Sequence, residues 1–416
     1  MNWIMENLLY IAHNLQNHLE TLRQFTATPG FGVTRLPFSK EAHQAVDYIK
    51  DQMEQIGLRT WIDASGAVHG RLDGTEPDAP TILIGSHYDT VKSGGAYDGI
   101  AGIVSAIEVA RILKENKVQM KYPLEIIATN DEEGITYGVC FLTSKALLGR
   151  WTITDLKQLH DTAEESIYDA ILRFGLDPNK IEDCKIDPLN VKCFIEIHIE
   201  QGPVLDSKGI QLGLVDCIAG LQRYRIQMIG KSNHAGSTPM DMRSDAVDAS
   251  TKVISCISEW AKTEGGGTVA TVGFMQVFPN ALNTISGKTE WVLDCRSSDE
   301  EKIQHIVEKL TQKLEEVKSK TGVDYKIEPL VHVKPGYMNQ ELLEQLEKSC
   351  RTFGYSYQKI ISGATHDAHL MSEEVDTIML FVPSKDGISH SPEEYSKYED
   401  LARAVYVVSD MLSNLN

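Results

Sequence analysis

The sequence predicts an α/β protein in which a mostly parallel-sheet domain is interrupted by a smaller inserted α+β domain. Short apolar runs alternate with helical patterns in the first half of the chain, and half-exposed strands replace them between about residues 214 and 330. Apolar runs followed by polar loops return after Tyr337. At 416 residues the chain also exceeds the size at which one hydrophobic core keeps growing, so two domains are expected.

The larger domain is predicted to begin with two amphipathic helices. Periodic apolar residues place these helices at 8–22 and 42–56, on either side of a glycine-rich segment. The elements that follow are a strand at 81–84, a helix at 100–113, a strand at 124–129 and a strand at 193–200. Such alternation is typical of crossover units on a mostly parallel sheet covered by helices.

The inserted domain has a different order of elements. The patterns predict a strand at 221–229, a helix at 245–260, strands at 268–278 and 289–293, and a charge-rich helix at 300–320. This βαββα order indicates a compact α+β sandwich. We therefore predict one domain formed by residues 1–213 plus 331–416, and an inserted domain formed by residues 214–330.

Charge and cysteine content restrict the class of partner and the compartment. Forty basic and fifty-nine acidic residues give a net charge of −19, which argues against nucleic acid or an anionic membrane surface as the main partner. The seven cysteines are scattered, and none is spaced as C-x-x-C, so they indicate free thiols in a reducing compartment. With no signal-peptide pattern and no apolar run approaching about 20 residues, the sequence predicts a cytoplasmic protein.

Three motifs carry residues that bind divalent metals. His87-x-Asp89 ends one predicted strand, Asp98 lies in a glycine-flanked loop, and Glu132-Glu133 closes the next strand. Ligands bind beyond the carboxyl ends of strands in open α/β sheets. The motifs supply an imidazole, a carboxylate that can bridge two cations, a second carboxylate ligand and a spare carboxylate. This combination predicts metal-assisted hydrolysis.

Spacing within the motifs assigns different tasks to neighbouring residues. Glu132 and Glu133 point to opposite sides of an extended strand end, so one can bind metal while the other acts as a general base. Asp89 lies on the same face as His87, where its carboxylate can accept the second N–H of the imidazole. Cys193 and Cys295 lack a paired base, which argues against cysteine nucleophilic catalysis.

Longer motifs resemble one family. The chain is similar to the dinuclear metal amidohydrolases, which comprise N-carbamoyl-L-amino-acid hydrolases, allantoate and ureidoglycolate amidohydrolases and β-ureidopropionase, and which are related to aminoacylase and carboxypeptidase G type peptidases. The similarity covers nearly the whole chain, including the segments 32–36, 198–203, 233–240, 363–368 and 382–392. His198-Ile-Glu-Gln-Gly-Pro203 and the last segment are specific to the amidohydrolase branch.

The resemblance implies a role for each matching residue. It makes His87, Asp98 and His198 the ligands of one metal, and Asp98, Glu133 and His390 the ligands of the other. Glu132 becomes the general base, Asp89 the partner of His87, and His234 the donor to the oxyanion, reaching across from a partner subunit. Substrate contacts fall on Gln201, His234, Asn283, Arg296 and His366. The two divalent ions are expected to be zinc, with manganese, cobalt or nickel as alternatives.

The resemblance also implies a homodimer whose inserted domain serves for dimerisation and as a lid. The implied reaction is hydrolysis of a carbamoyl or ureido C–N bond on a small carboxylate substrate. An N-acyl amino acid or dipeptide hydrolase with the same centre is the alternative, and a non-catalytic metal-binding protein is a more remote one. The chain departs from the family pattern at Ile135-Thr136-Tyr137, Ala67 and Thr365, which leaves the substrate open but retains every metal ligand.

Overall fold

The computed structural model describes residues 2–415, with side chains from Asn7 onward. The helices are α1 (Asn2–Leu22), α2 (Lys40–Gln55), α3 (Ile100–Glu115), α4 (Leu142–Leu147), α5 (Ile153–Gln158), α6 (Ile167–Arg173), α7 (Val204–Lys208), α8 (Ala246–Glu264), α9 (Glu300–Thr321), α10 (Gln340–Phe353), α11 (Asp367–Met371) and α12 (Tyr398–Ser413). The strands are β1 (Arg59–Ile62), β2 (Val68–Leu72), β3 (Thr81–His87), β4 (Leu124–Thr129), β5 (Val191–Ile199), β6 (Leu212–Ile218), β7 (Gly220–Ile229), β8 (Val269–Phe278), β9 (Lys288–Ser297), β10 (Asp324–Val333), β11 (Gly336–Tyr337), β12 (Tyr357–Ser362) and β13 (Thr377–Val382).

The described chain divides into two compact units. The first unit contains the chain up to Asp216, the segment Tyr337–Ile360 and the chain from His366 onward. The second unit contains Cys217–Gly336 and Ile361–Thr365. The sequence patterns predict crossings after residues 213 and 330, whereas the units change after Asp216 and after Gly336. The second crossing is later because β10, which the sequence patterns do not reveal, belongs to the sheet of the second unit.

A mixed sheet forms the centre of the first unit, with the strand order β1-β2-β4-β3-β5-β13-β6-β11 and β12 paired to β6. The middle strands β4, β3, β5 and β13 are parallel, while β1, β2 and β6 join the sheet in antiparallel pairs. All six residues of β13 are buried, as expected for a strand covered on both faces. This arrangement confirms the predicted α/β class with a mostly parallel sheet.

Helix α3 lies in the interior of the first unit. It packs against β3 and β5 on one side and against α1 and α12 on the other. Its residues from Ile100 to Ala110 are all buried, which explains why its sequence is apolar around nearly the whole helix. Among residues 2–415, none of the helices combines the length and apolar character that crossing a membrane requires.

Arg35 ties the end of α1 to the segment that follows β3. The side chain is 1% exposed, and its guanidinium donates to the carbonyls of Tyr88 at 2.5 Å and Leu22 at 2.9 Å. Burial lowers the pKa of Arg35 to about 10. A buried guanidinium needs several acceptors to offset its desolvation, and these carbonyls provide them.

The second unit is a four-stranded antiparallel sheet in the order β10-β7-β9-β8, covered on one face by α8 and α9. Burial alternates along β9, where Trp291, Leu293 and Cys295 point into a core with Ile226 and Leu310. The predicted helices and first three strands of this unit are present, but the chain continues into β10, which pairs with β7. The order is therefore βαββαβ instead of the predicted βαββα.

A buried charge cluster joins β2 to its neighbours in the first unit. His69 Nε2 lies 3.1 Å from Asp63 Oδ2, and His69 Nδ1 lies 2.9 Å from Glu125 Oε1. The ring of Trp61 stacks on the imidazole at 4.8 Å. Although burial alone would lower it, the hydrogen bonds to Asp63 and Glu125 raise the pKa of His69 to about 9. His69 is therefore charged at neutral pH.

This cluster makes stability depend on pH in the alkaline range. The folded pKa of His69 lies above the ordinary value of 6.5, so its contribution is fully present below about pH 6.5 and is lost as pH rises through 9. A shift of this size corresponds to about 3 kcal/mol. In His69→Gln we expect the free energy of unfolding to fall by about that amount at pH 6, and by much less at pH 10.

Chemical denaturation followed by circular dichroism at both pH values measures this difference. His43→Gln is the matched control, because His43 is exposed, pairing with the exposed Asp47 and packing against the ring of Phe174. If the difference in unfolding free energy between His69→Gln and wild type is the same at pH 6 and at pH 10, His69 is not charged in the folded protein.

Candidate metal centre

Neighbouring strands of the first unit bring the predicted ligands to one edge of its sheet. His87 is the last residue of β3, Glu132 and Glu133 follow β4, and His198 lies near the end of β5. His390 follows β13 in a polar loop. Because these strands are parallel neighbours, their carboxyl ends lie along the same edge.

Asp98 lies within this cluster, in the loop before α3. Gly99 has a φ of +64°, and a Cβ at this position would lie 2.5 Å from ring atoms of His87, so only glycine permits the approach. Asp98 Oδ1 lies 3.2 Å from His198 Nε2 and 3.6 Å from His87 Nε2. Asp98 Oδ2 lies 3.2 Å from His390 Nε2. The two oxygens of one carboxylate thus face two different sets of donors.

These donors form overlapping groups in the described part of the chain. The ligand atoms of His87, Asp98 and His198 all lie within 4.8 Å of one another, as do those of Asp98, Glu133 and His390. His390 Nε2 is 3.5 Å from Glu133 Oε1. The ligand atoms of His87, Glu132 and Glu133 lie equally close to one another, and so do those of His198, Glu196 and His366.

The cluster fits divalent metal ions. Asp98 Oδ1 and Glu133 Oε1 are buried and accept no hydrogen bond. Burying a carboxylate oxygen without a partner costs free energy. A bound cation would supply the missing partner for both oxygens. Imidazole nitrogens and carboxylate oxygens are also the ligands of zinc and of neighbouring transition metals.

Main-chain carbonyls fix the tautomers of two histidines in the cluster. His87 Nδ1 lies 3.0 Å from the carbonyl oxygen of Asp89, and His198 Nδ1 lies 2.9 Å from that of Ile199. A carbonyl oxygen can only accept, so each Nδ1 carries the proton. Each Nε2 then presents its lone pair toward Asp98, as a metal ligand must.

The carboxylate of Asp89 has a different role from the predicted one. It lies 3.7 Å from His87 Nδ1, which is too far for a hydrogen bond. Instead it accepts the main-chain N–H of Glu132 at 3.1 Å and of Glu133 at 3.3 Å. The prediction that this carboxylate fixes the imidazole is therefore corrected, because the carbonyl of the same residue lies closer. The carboxylate holds the Glu132-Glu133 segment in place.

Glu132 and Glu133 lie in a strongly acidic environment. Glu132 is 6% exposed, and burial raises its pKa well above the usual value, with Glu133 adding to the shift. Burial also raises the pKa of Glu133 to about 7, and the charge of Asp98 adds to this effect. Carboxylates this close to one another repel when ionised, so cations bound between them stabilise the charged forms.

Two predicted substrate contacts lie beside the same cluster. Gln201 Nε2 donates to Asp98 Oδ2 at 3.0 Å and lies 3.4 Å from His390 Nε2. His366 is buried, and its ring centroid is 4.5 Å from that of His198. Burial lowers the pKa of His366 well below the usual value, so this imidazole is neutral.

The other predicted substrate contacts belong to the second unit. His234 and Asn283 are exposed, and Ala235 N donates to the carbonyl oxygen of Asn283 at 2.9 Å. The main-chain N–H groups of Gly236 and Ser237 both donate to His234 Nδ1 at 3.1 Å. Since Nδ1 accepts, Nε2 carries the proton, and His234 presents an N–H donor.

Arg296 is oriented by a carboxylate that sequence reasoning did not single out. Arg296 Nε donates to Asp294 Oδ1 at 2.9 Å, and its Nη1 donates to the carbonyl oxygen of Gly363 at 2.7 Å. Arg223 Nε donates to the other oxygen of Asp294 at 2.7 Å. Asp294 and Arg296 are two residues apart on β9, so strand alternation could have indicated that they share a face.

A family comparison extends these observations to most of the chain. The model of peptidase family M20/M25/M40 matches residues 83–414, which include both strand-end motifs and the loop of His390. The chain belongs to this family. Together with the His, Asp and Glu cluster, membership indicates metal ions at this site.

Curated relatives place the chain within one branch of family M20/M25/M40. It is 33% identical over 405 residues to the N-carbamoyl-L-amino-acid amidohydrolase of Paenarthrobacter aurescens, covering 97% of this chain and 98% of that protein. It is 34% identical over 409 residues to the allantoate amidohydrolase of Escherichia coli strain K12, covering 98% and 99% respectively. These relatives confirm the predicted resemblance to the dinuclear metal amidohydrolases.

The fold has a close counterpart among solved structures. A hydantoinase/carbamoylase family amidase from Burkholderia multivorans superposes with a TM-score of 0.90 and 28% sequence identity. The superposition covers 96% of this chain and 97% of that one. The predicted fold class, a mostly parallel-sheet domain with an inserted α+β domain, is thereby confirmed.

Proposed function

We propose that this protein is a metal-dependent amidohydrolase that cleaves a carbamoyl or ureido C–N bond of a small carboxylate substrate. The observation that carries the proposal is the placement of Asp98, whose two oxygens face His198 and His390 on different sides. This placement of Asp98 occurs in a chain that is similar, over nearly its full length, to N-carbamoyl-L-amino-acid and allantoate amidohydrolases.

In this proposal the cluster holds two divalent ions. His87, Asp98 and His198 bind one ion, and Asp98, Glu133 and His390 bind the other. Zinc is the proposed metal, and manganese, cobalt and nickel suit the same ligands. When bound, such ions lower the pKa of a water molecule from about 15.7 toward about 7 and polarise the substrate carbonyl.

Glu132 is the proposed general base. Asp89 fixes the main chain of Glu132, and the Glu132 carboxylate lies in one donor group with His87 and Glu133. It accepts a proton from the attacking water while the water oxygen bonds to the carbonyl carbon. The C–N bond then breaks, and Glu132 returns the proton to the leaving nitrogen. The cleavage leaves a carbamic acid, which breaks down to carbon dioxide and an amine or ammonia.

His234 is the proposed donor to the carbonyl oxygen as negative charge develops on it. Its Nδ1 accepts two main-chain N–H groups, so its Nε2–H is available to donate, as an oxyanion site requires. The resemblance implies that this histidine acts on the site of the partner subunit. We therefore propose a homodimer formed through the second unit, here called the dimerisation unit.

Exposed apolar residues support this mode of association. Strand β8 is at the edge of the sheet of the dimerisation unit, where its main-chain groups can pair with another strand. Phe274, Met275 and Phe278 on this strand are 41%, 39% and 43% exposed. An edge strand with such residues is a common place for subunit contact.

The cysteines form no disulfide with one another, which supports a reducing compartment, and we propose the cytoplasm.

Arg296 is the proposed anchor of the substrate carboxylate, with Gln201, Asn283 and His366 as further contacts. In Arg296→Ala we expect KM for N-carbamoyl amino acids to rise about 10- to 100-fold, because hydrogen bonds between charged groups contribute about 1.5–3 kcal/mol. The corresponding amides, which lack the carboxylate, should show little change. Steady-state kinetics on both series measures the difference.

Arg225→Ala is the matched control for this experiment. Arg225 lies on the same sheet but pairs with Glu328 and Glu290. Arg225→Ala should leave KM unchanged for both the acids and the amides. If Arg296→Ala weakens binding of the acids and the amides equally, Arg296 does not hold the carboxylate.

Ammonia release tests the reaction itself. Chelated protein reconstituted with zinc, manganese or cobalt is incubated with N-carbamoyl amino acids, allantoate and N-acyl amino acids, with the chelated protein as blank. We expect ammonia from the first two classes only. Release of free amino acid from N-acyl substrates without ammonia would identify an acylase with the same centre, and no product from any class would refute the proposed function.

A further inference from the structure

Glu394 contacts two loops that carry metal-ligand candidates. Its Oε1 accepts the main-chain N–H of Tyr97 and of Asp98, each at 3.0 Å. Its Oε2 accepts the hydroxyl of Ser389, the residue before His390, at 2.7 Å. One side chain therefore joins the loop of Asp98 to the loop of His390, nearly 300 residues apart in sequence.

The surroundings of Glu394 leave it little freedom to move. The residue is 5% exposed, and its own N–H donates to the carbonyl oxygen of Ser391 at 3.0 Å, which closes a tight turn after His390. A Cβ on Gly95 would lie 2.0 Å from Glu394 Oε1, and the three atoms nearest to such a Cβ all belong to Glu394. Gly95 is therefore required for Glu394 to reach the loop.

Aromatic packing reinforces the same contact. The ring of Tyr97 packs edge-on against Tyr395 at 5.6 Å, and its hydroxyl lies 3.3 Å from that of Tyr398. The segment from Glu394 to Tyr398 thus holds the residue next to Asp98 from both its main chain and its side chain. These contacts anchor the loop through protein groups alone.

We propose that Glu394 is a positioning residue. It sets the Asp98 carboxylate and the His390 imidazole at the separation needed to bind the metal ion shared by Asp98, Glu133 and His390. The inference rests on the proposed function, since it presumes that Asp98 and His390 are ligands. Ligand groups must be held to within about 0.5 Å for such a site to form. Residues that orient ligands without binding metal typically change metal affinity by about 10- to 100-fold when removed.

Cobalt titration of the chelated protein, followed by visible absorption, tests this role. In Glu394→Ala we expect one of two cobalt ions to bind about 10- to 100-fold more weakly, with an altered spectrum. Glu394→Gln should bind both ions within about threefold of wild type, because its amide oxygen can still accept the two N–H groups while its NH₂ donates to Ser389. Glu393→Ala, an exposed neighbour, is the matched control and should not differ from wild type.

A second substitution tests the same contact from the opposite side. Gly95→Ala should displace Glu394 and reproduce the loss of cobalt affinity. In a Glu394→Gly background the three side-chain atoms nearest to the added methyl group are all absent, so Gly95→Ala should then cost little more than Glu394→Gly alone. Such non-additivity is the expected result for two residues that act through one contact. Independent, additive losses would contradict the inference.

The outcomes separate the inference from the proposed function. Wild-type protein that binds fewer than two cobalt ions would refute the dinuclear centre and the inference with it. Wild-type protein that binds two ions, with Glu394→Ala unchanged in affinity and spectrum, would refute the role of Glu394 alone. The role of Glu394 is also refuted if Glu394→Gln is as impaired as Glu394→Ala, or if chelated Glu394→Ala is unfolded by circular dichroism, since a general structural role would then suffice.

Discussion

Glu132→Gln is expected to lose most turnover while still binding both metal ions. The amide keeps the size of the side chain but cannot accept the proton of the attacking water. Removal of a general base commonly lowers kcat by about 10²- to 10⁴-fold. Glu132 is not in either donor group centred on Asp98, so metal content by elemental analysis should stay at the wild-type level. Steady-state ammonia release at saturating substrate measures the loss.

Glu393→Gln serves as the control for this result, because it makes the same chemical change on an exposed residue. Full activity in Glu132→Gln would overturn the assignment of the base. Loss of a metal ion from this variant would instead show that Glu132 acts as a ligand, and the roles of Glu132 and Glu133 would have to be exchanged.

Asp98→Asn is expected to remove one metal ion and to lower kcat by more than about 100-fold, beyond the effect usual for outer-sphere partners. An amide has one oxygen, so it can face His198 or His390 but not both. If its NH₂ group faces His390, it also meets the amide of Gln201, which now donates to Asp98 Oδ2. Either orientation leaves one donor group without its carboxylate. Metal stoichiometry and ammonia release on the same preparation measure both effects.

Asp73→Asn provides the matched control, since the side chain of Asp73 is 74% exposed. Asp98→Asn protein that retains two metal ions at wild-type affinity would contradict a bridging role. In that case the two donor groups would bind independently, and the central position of Asp98 would have no chemical consequence.

Several of the proposed metal ligands are accessible to sequence reasoning because they follow predictable strands. His87 and the Glu132-Glu133 pair come directly after apolar runs, and the carboxyl ends of parallel strands meet at one edge. Their proximity in the structure follows from this geometry. The assignment of His198 and His390 depends on family resemblance, since their spacing alone carries no such information.

Other features depend on contacts that short patterns do not record. Strand β10 is not predicted because Pro329 and the irregularity between Pro329 and Val331 interrupt its alternation of exposed and partly buried residues. The predicted hydrogen bond between His87 and the Asp89 carboxylate is wrong because strand periodicity describes side chains, whereas the nearer acceptor is the main-chain carbonyl of Asp89. Glu394 contacts Tyr97 and Asp98, which are distant in sequence, and nothing in the run Glu393-Glu394 indicates which of the two is buried.

The position of β13 has a consequence for the order of events during synthesis. This strand lies between β5 and β6, yet it is translated only after the whole second unit. Until β13 emerges from the ribosome, β5, which carries His198, has an unpaired edge of buried-type residues. Such an edge attracts other strands and requires protection. The second unit is therefore complete on the nascent chain before the sheet of the first unit receives its last inner strand, and a chain that ends before residue 377 would be prone to aggregate.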